Sequence, residues 1–163
     1  MKSMTKIRQS IRTGTITIMV INIFLIIISI FSIWGTYFAL SNIDQIATND
    51  PILADAIRES ATPLSFVQMI IGIIILIVIS FLCFQNLKHL KNEKMVKKLP
   101  YYIGIAYTLF NIILTIITAM ASGAPLSLYI FIVPIIITTI YAFILYKASE
   151  LEENSSQDDA INI

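Results

Sequence analysis

Four stretches of this chain, residues 13–40, 64–87, 101–121 and 126–146, contain no Asp, Glu, Lys, Arg or His. Charged groups held inside a membrane are costly and mark ion pathways, proton relays or substrate sites. Proton-coupled transport, which needs a carboxylate or histidine at depth, therefore has no residue here to carry it. Cys83 is the sole cysteine, which excludes an internal disulfide, a CxxC redox pair and a thiolate metal site. It reads as a small apolar residue. His89 is the only histidine and stands among lysines, so a haem ligated from within the apolar stretches is excluded. A solvated surface side chain is expected there rather than a ligand or a base. No G-x-S-x-G elbow and no Walker-type loop is present. No enzyme activity, metal or cofactor is expected.

The chain is instead rich in apolar side chains. Of its 163 residues, 57% are hydrophobic and 13% charged, against about a quarter charged in a soluble domain. A spanning helix needs about 20 apolar residues, so four spans and their connections use nearly the whole chain. The expected fold is all-α, an integral membrane protein with four transmembrane helices in an up-down bundle. Its membrane domain covers residues 1–147, with spans near 15–40, 64–87, 101–121 and 126–146. The first apolar run is too long for a signal-peptide core and no A-x-A site follows it. Trp34, Tyr37 and Phe38 form an interfacial aromatic belt at its far end.

The net charge of +1 hides a segregation. Lys2, Lys6, Arg8 and Arg12 precede the first span, and Lys88, Lys91, Lys94, Lys97 and Lys98 crowd the connection 88–100. The connection 41–63 carries Asp44, Asp50, Asp55 and Glu59 against Arg58 alone. The positive-inside rule then puts both termini in the cytoplasm. The five lysines of 88–100 would meet anionic headgroups or an acidic partner. Nucleic acid is not an expected partner, because no aromatic residues interleave with the lysines. Lysine in excess of arginine, with isoleucine filling the spans, fits an AT-rich bacterial or archaeal coding bias. The expected location is a bacterial plasma membrane.

Within 41–63, "NDPILADAIRES" predicts a short helix with Asp50 as N-cap and Pro51 at the first helical position. Ile52, Leu53, Ala56 and Ile57 would share its apolar face, lying on the bundle or on the headgroups. "SGAP", residues 122–125, leaves room only for a tight turn, which makes the last two spans antiparallel neighbours. Pro134 should kink the last span, with Thr138 or Thr139 helping to satisfy the freed backbone. Residues 148–163 are acidic and predict a disordered tail.

One pattern remains. In the third span Gly104, Thr108, Asn111, Thr115, Thr118 and Ser122 follow a four-three-four-three-four spacing. Residues repeating every 3.5 positions form a seam that stays in register with a neighbouring helix. Thr15, Asn22, Ser29 and Thr36, seven apart, form a fainter seam in the first span. Three uses compete: helix packing inside the monomer through close backbones and hydrogen bonds, docking on another membrane protein or a second copy, and lining of a polar path. The function expected is that of a non-enzymatic accessory, regulatory or immunity-type interaction subunit of a membrane complex. The alternative is a pore or transport component, holin-like or a small channel, with a hydroxyl-lined path. The lipid bilayer is a partner in either case.

Overall fold

The computed structural model describes residues 4–122 and 127–161, with the side chains of Ser122 and residues 157–161 left out. Lys2, the Ser122 side chain and the turn through Pro125 therefore lie outside the described residues. All regular structure among the described residues is helical: α1 (Met4–Ser41), α2 (Ile43–Asn49), α3 (Pro51–Ser60), α4 (Pro63–Lys91), α5 (Leu99–Ser122) and α6 (Tyr129–Ile161). Four of these, α1, α4, α5 and α6, are long and apolar enough to cross a membrane. In each, only 11% to 17% of the apolar window is buried in the protein. Val20, Phe24, Phe31 and Phe81 are each at least 60% exposed. Water does not tolerate apolar surface of that extent; the hydrocarbon of a bilayer is its solvent. The chain is a multi-pass membrane protein.

The helices start where the sequence stops competing with them. Asp50 accepts a hydrogen bond from the Leu53 N–H at 3.0 Å and Pro51 opens α3, so the expected cap forms. Thr62 Oγ1 accepts from the Ser65 N–H at 3.2 Å, with Pro63 as the first residue of α4. In both cases the side chain satisfies a donor that the first turn leaves without an intrahelical partner, and proline occupies a position whose N–H would be idle.

Four expectations need correction. A separate helix, α2, precedes α3 in the 41–63 connection. In α3 the fully buried residue is Ala54 and Ile57 is half-buried, while Ile52 is 84% and Leu53 50% exposed, so of the two expected placements, on the bundle or on the headgroups, the first holds for one edge of the face alone. Thr139 donates to the Ile135 carbonyl at 2.8 Å and Thr138 Oγ1 is buried without a partner, so neither hydroxyl is seen serving the carbonyl that Pro134 frees. Finally, the tail is not disordered at its start: α6 continues without a break to Ile161. The reason is visible on one face. Ile137, Tyr141, Ile144, Ala148 and Leu151 are buried at four-three-four-three spacing, so the inward stripe of the span extends past its last apolar turn. Lys147 pairs with Glu150 three residues on, and Lys98 Nζ meets Glu152 Oε2 at 2.5 Å.

The chain divides into two compact units, Met1–Val20 with Ile79–Ile163, and Ile21–Val78. In the first, α1 buries Ile7, Ile11, Thr15 and Ile18, and α4 buries Ile79, Cys83, Asn86 and Leu90. From α5 come Tyr101, Gly104 and Thr108, set against the α6 stripe. The second unit holds α2 and α3 packed together, with Arg58 reaching Asp55 at 3.3 Å and Asp44 at 3.9 Å. Within it Trp34 stacks on Phe38 at 5.9 Å, and Trp34, Tyr37 and Phe38 are all strongly exposed, as an interfacial belt requires.

Candidate functional site

The first unit concentrates its polar side chains at one place. Thr15, Asn86 and Tyr101, from α1, α4 and α5, are fully buried. Thr15 Oγ1 and Tyr101 Oη lie 2.8 Å apart. Asn86 Nδ2 donates to Tyr101 Oη at 3.2 Å and to the Lys97 carbonyl at 2.7 Å. Asn86 Oδ1 accepts from the Lys97 N–H at 3.0 Å. One carboxamide thus spends both donors and its acceptor, and because the phenol oxygen accepts from Asn86, its proton is available to Thr15. In a low-dielectric interior such a fully used network stiffens its surroundings.

The same network fixes the connection between α4 and α5. The end of α4 is a Schellman turn: Lys94 N–H reaches back to the His89 carbonyl at 2.9 Å and Glu93 N–H to the Leu90 carbonyl at 3.3 Å. Glu93 occupies the left-handed position, φ 56°, where glycine is usual. Arg8 Nη2 donates to the Glu93 carbonyl at 2.8 Å. His89 Nδ1 lies 3.1 Å from the Met95 carbonyl; a carbonyl only accepts, so this nitrogen carries a proton. His89 is half-buried and holds the connection, rather than standing free in solvent as expected. With Asn86 clamping Lys97, backbone carbonyls at 93, 95 and 97 are all bonded to side chains.

The five lysines divide. Lys88, Lys91, Lys94 and Lys97 are exposed, whereas Lys98 is half-buried in its pair with Glu152. Lys88 Nζ also sits 4.8 Å from the centre of the Phe84 ring. The first four meet no carboxylate within ion-pair distance among the described residues.

The α5 seam is graded. Gly104 is buried against Tyr141: a Cβ on Gly104 would collide with the ring carbons. Thr108 is buried, Asn111 and Thr115 are half-buried, and Thr118 is exposed. Their polar atoms turn inward on their own helix. Thr108 donates to the Gly104 carbonyl, Asn111 to Tyr107, Thr115 to Asn111 and Thr118 to Leu114, all at 2.8–2.9 Å. Of the α1 seam, Thr15 and Asn22 are buried, while Ser29 and Thr36 are half-buried and Thr36 bonds the Ser32 carbonyl at 2.8 Å.

Sequence reasoning missed Asn86, Tyr101, Arg8 and Gly14. Tyr101 falls three residues before Gly104, on the seam itself, and that spacing was its readable signal. Gly14 lies off the α1 seam, yet a Cβ there would come within 2.6 Å of Ile144 Cγ1, so α1 and α6 approach closely at this point. No group of three metal-ligating side chains occurs among the described residues. Searches of protein-family models, curated proteins and solved structures found no match to the chain, and its functional reading rests on its own residues.

Proposed function

We propose that this is a non-enzymatic accessory subunit of a bacterial plasma membrane: a four-helix up-down bundle with both termini cytoplasmic, which binds a membrane helix of another protein along α5. The observation that supports this reading is the graded seam. Gly104 and Thr108 are covered, whereas Thr115 is half-buried and Thr118 exposed. The threonine hydroxyls bond carbonyls one turn back, so where the seam emerges, at Thr115 and Thr118 beside the exposed Ile113, Ile117 and Met120, it offers small side chains with their hydroxyls already engaged. Small residues let helix backbones approach in lipid, where there is no hydrophobic force to bring helices together.

The test is co-purification in mild detergent of wild type, Thr115→Leu and Thr118→Leu. Leucine fills the seam there without touching the buried end at Gly104. Wild type should carry a stoichiometric membrane protein that both variants lose by tenfold or more, with unchanged melting temperatures. Wild type isolated as an unaccompanied monomer would overturn the reading. So would solute flux in liposomes above protein-free vesicles, which would favour a conducting path instead.

A further inference from the structure

In the second unit the amphipathic helix α3 leaves one edge of its apolar face uncovered by the protein. With 3.6 residues per turn, Ile52, Ala56, Leu53, Ile57 and Ala54 fall in one arc, and Arg58, Asp55 and Glu59 in the other. Only one edge of the apolar arc is packed: Ala54 is buried and Ile57 half-buried. At the other edge Ile52 is 84% exposed, Leu53 50%, and Ala56 is exposed as well.

The place of α3 says what covers that edge. It ends at Ser60 and α4 opens at Pro63, so only two residues separate it from a membrane-crossing helix. Ser65 Oγ, in the first turn of α4, donates to the Ser60 carbonyl at 2.9 Å and to the Thr62 carbonyl at 2.7 Å. These bonds hold the end of α3 at the mouth of α4, beside Leu64, which is 75% exposed. Arg58 ties the polar arc to Asp44 of α2 and to Asp55. The charged arc is therefore occupied on the water side, and the apolar edge is continuous with the lipid-facing start of α4.

We infer that α3 is an interfacial helix whose Ile52–Leu53 edge is immersed at the boundary of headgroups and acyl chains in the leaflet that α4 enters. A short helix with an apolar edge and charges opposite lies in the plane of that boundary. Its occupant is the bilayer itself, because α3 has no length of chain with which to move away from it. The immersed edge fixes the depth at which α4 begins.

Trp34 is the only tryptophan, which makes the test direct. In a Trp34→Phe background, Ile52→Trp and Asp55→Trp place one fluorophore on each arc of α3. Both positions are exposed; Asp55→Trp removes one partner of Arg58 and keeps the other, Asp44. The full chain is reconstituted in phosphatidylcholine vesicles with and without lipid brominated near the top of the acyl chain. Tryptophan at 52 should be quenched by brominated lipid at least threefold more than tryptophan at 55, and the order should reverse with aqueous iodide. Equal quenching at the two positions, or strong iodide quenching at 52, would overturn the inference and leave the edge to a protein partner.

Discussion

Asn86 holds Lys97 by both of its backbone groups, accepting from the N–H at 3.0 Å and donating to the C=O at 2.7 Å, across the connection between α4 and α5. The same carboxamide reaches the Tyr101 phenol. Asn86→Ala leaves two backbone groups and part of a phenol without partners. Such losses cost about 1–3 kcal/mol each when fully buried and average less inside membranes. A net loss of about 2 kcal/mol is expected, read as a melting temperature lower by about 4–8 °C for a chain of this size. Tyr101→Phe, which removes one partner of Asn86 and one of Thr15, should cost less than half as much. A cycle with Thr15→Val should show coupling. Thermal unfolding in detergent measures all of these; an Asn86→Ala melt equal to wild type would contradict the network.

Gly104→Ala sets a methyl group against the Tyr141 ring. Alanine is the better helix former by about 0.5–1 kcal/mol, yet overpacking against a buried ring costs typically 1–3 kcal/mol, so the net effect should be destabilising. Gly35→Ala is the matched control, because nothing lies within 4 Å of its added Cβ. It should be neutral or stabilising. Tyr141→Leu combined with Gly104→Ala should recover part of the loss.

Glu93→Gly should stabilise the protein. The φ of 56° at Glu93 costs an L-residue about 1–2 kcal/mol that glycine does not bear. Part of that gain is offset by the greater freedom of glycine in the unfolded chain. Arg8 of α1 bonds the Glu93 carbonyl, a backbone contact that the substitution keeps. An increase in melting temperature of about 2–3 °C is expected, whereas Glu93→Ala should give none.

Composition and hydropathy sufficed for four spanning helices, because lipid demands long uncharged runs and few other sequences have them. The Asp50–Pro51 start of α3 was equally legible, since a cap depends on residues within one turn of each other. The α5 seam was legible as a pattern, but not where it ends being covered, because that depends on Tyr141, far away in sequence. Nor was the Asn86–Tyr101–Thr15 network, which joins three helices and includes the backbone of Lys97, a group with no sequence signature. The tail misled by its composition. Acidic and polar residues suggested disorder, while Ala148 and Leu151 continued the buried face of α6 at the same spacing as Ile144, and that local phase decided the outcome.

Helices made of isoleucine and leucine can slide along one another in a bilayer at little cost, since every apolar side chain finds either another apolar side chain or lipid. Three hydrogen-bonding side chains end that freedom in the first unit. A slip of one turn between α4 and α5 would carry Asn86 away from both Lys97 and Tyr101, leaving polar groups stranded in an apolar layer. A single buried asparagine fixes the register of a coiled coil in this manner. Here the carboxamide also sets the point at which the chain turns back, so the height of α5, and with it the height of every residue along its seam, is measured from Asn86.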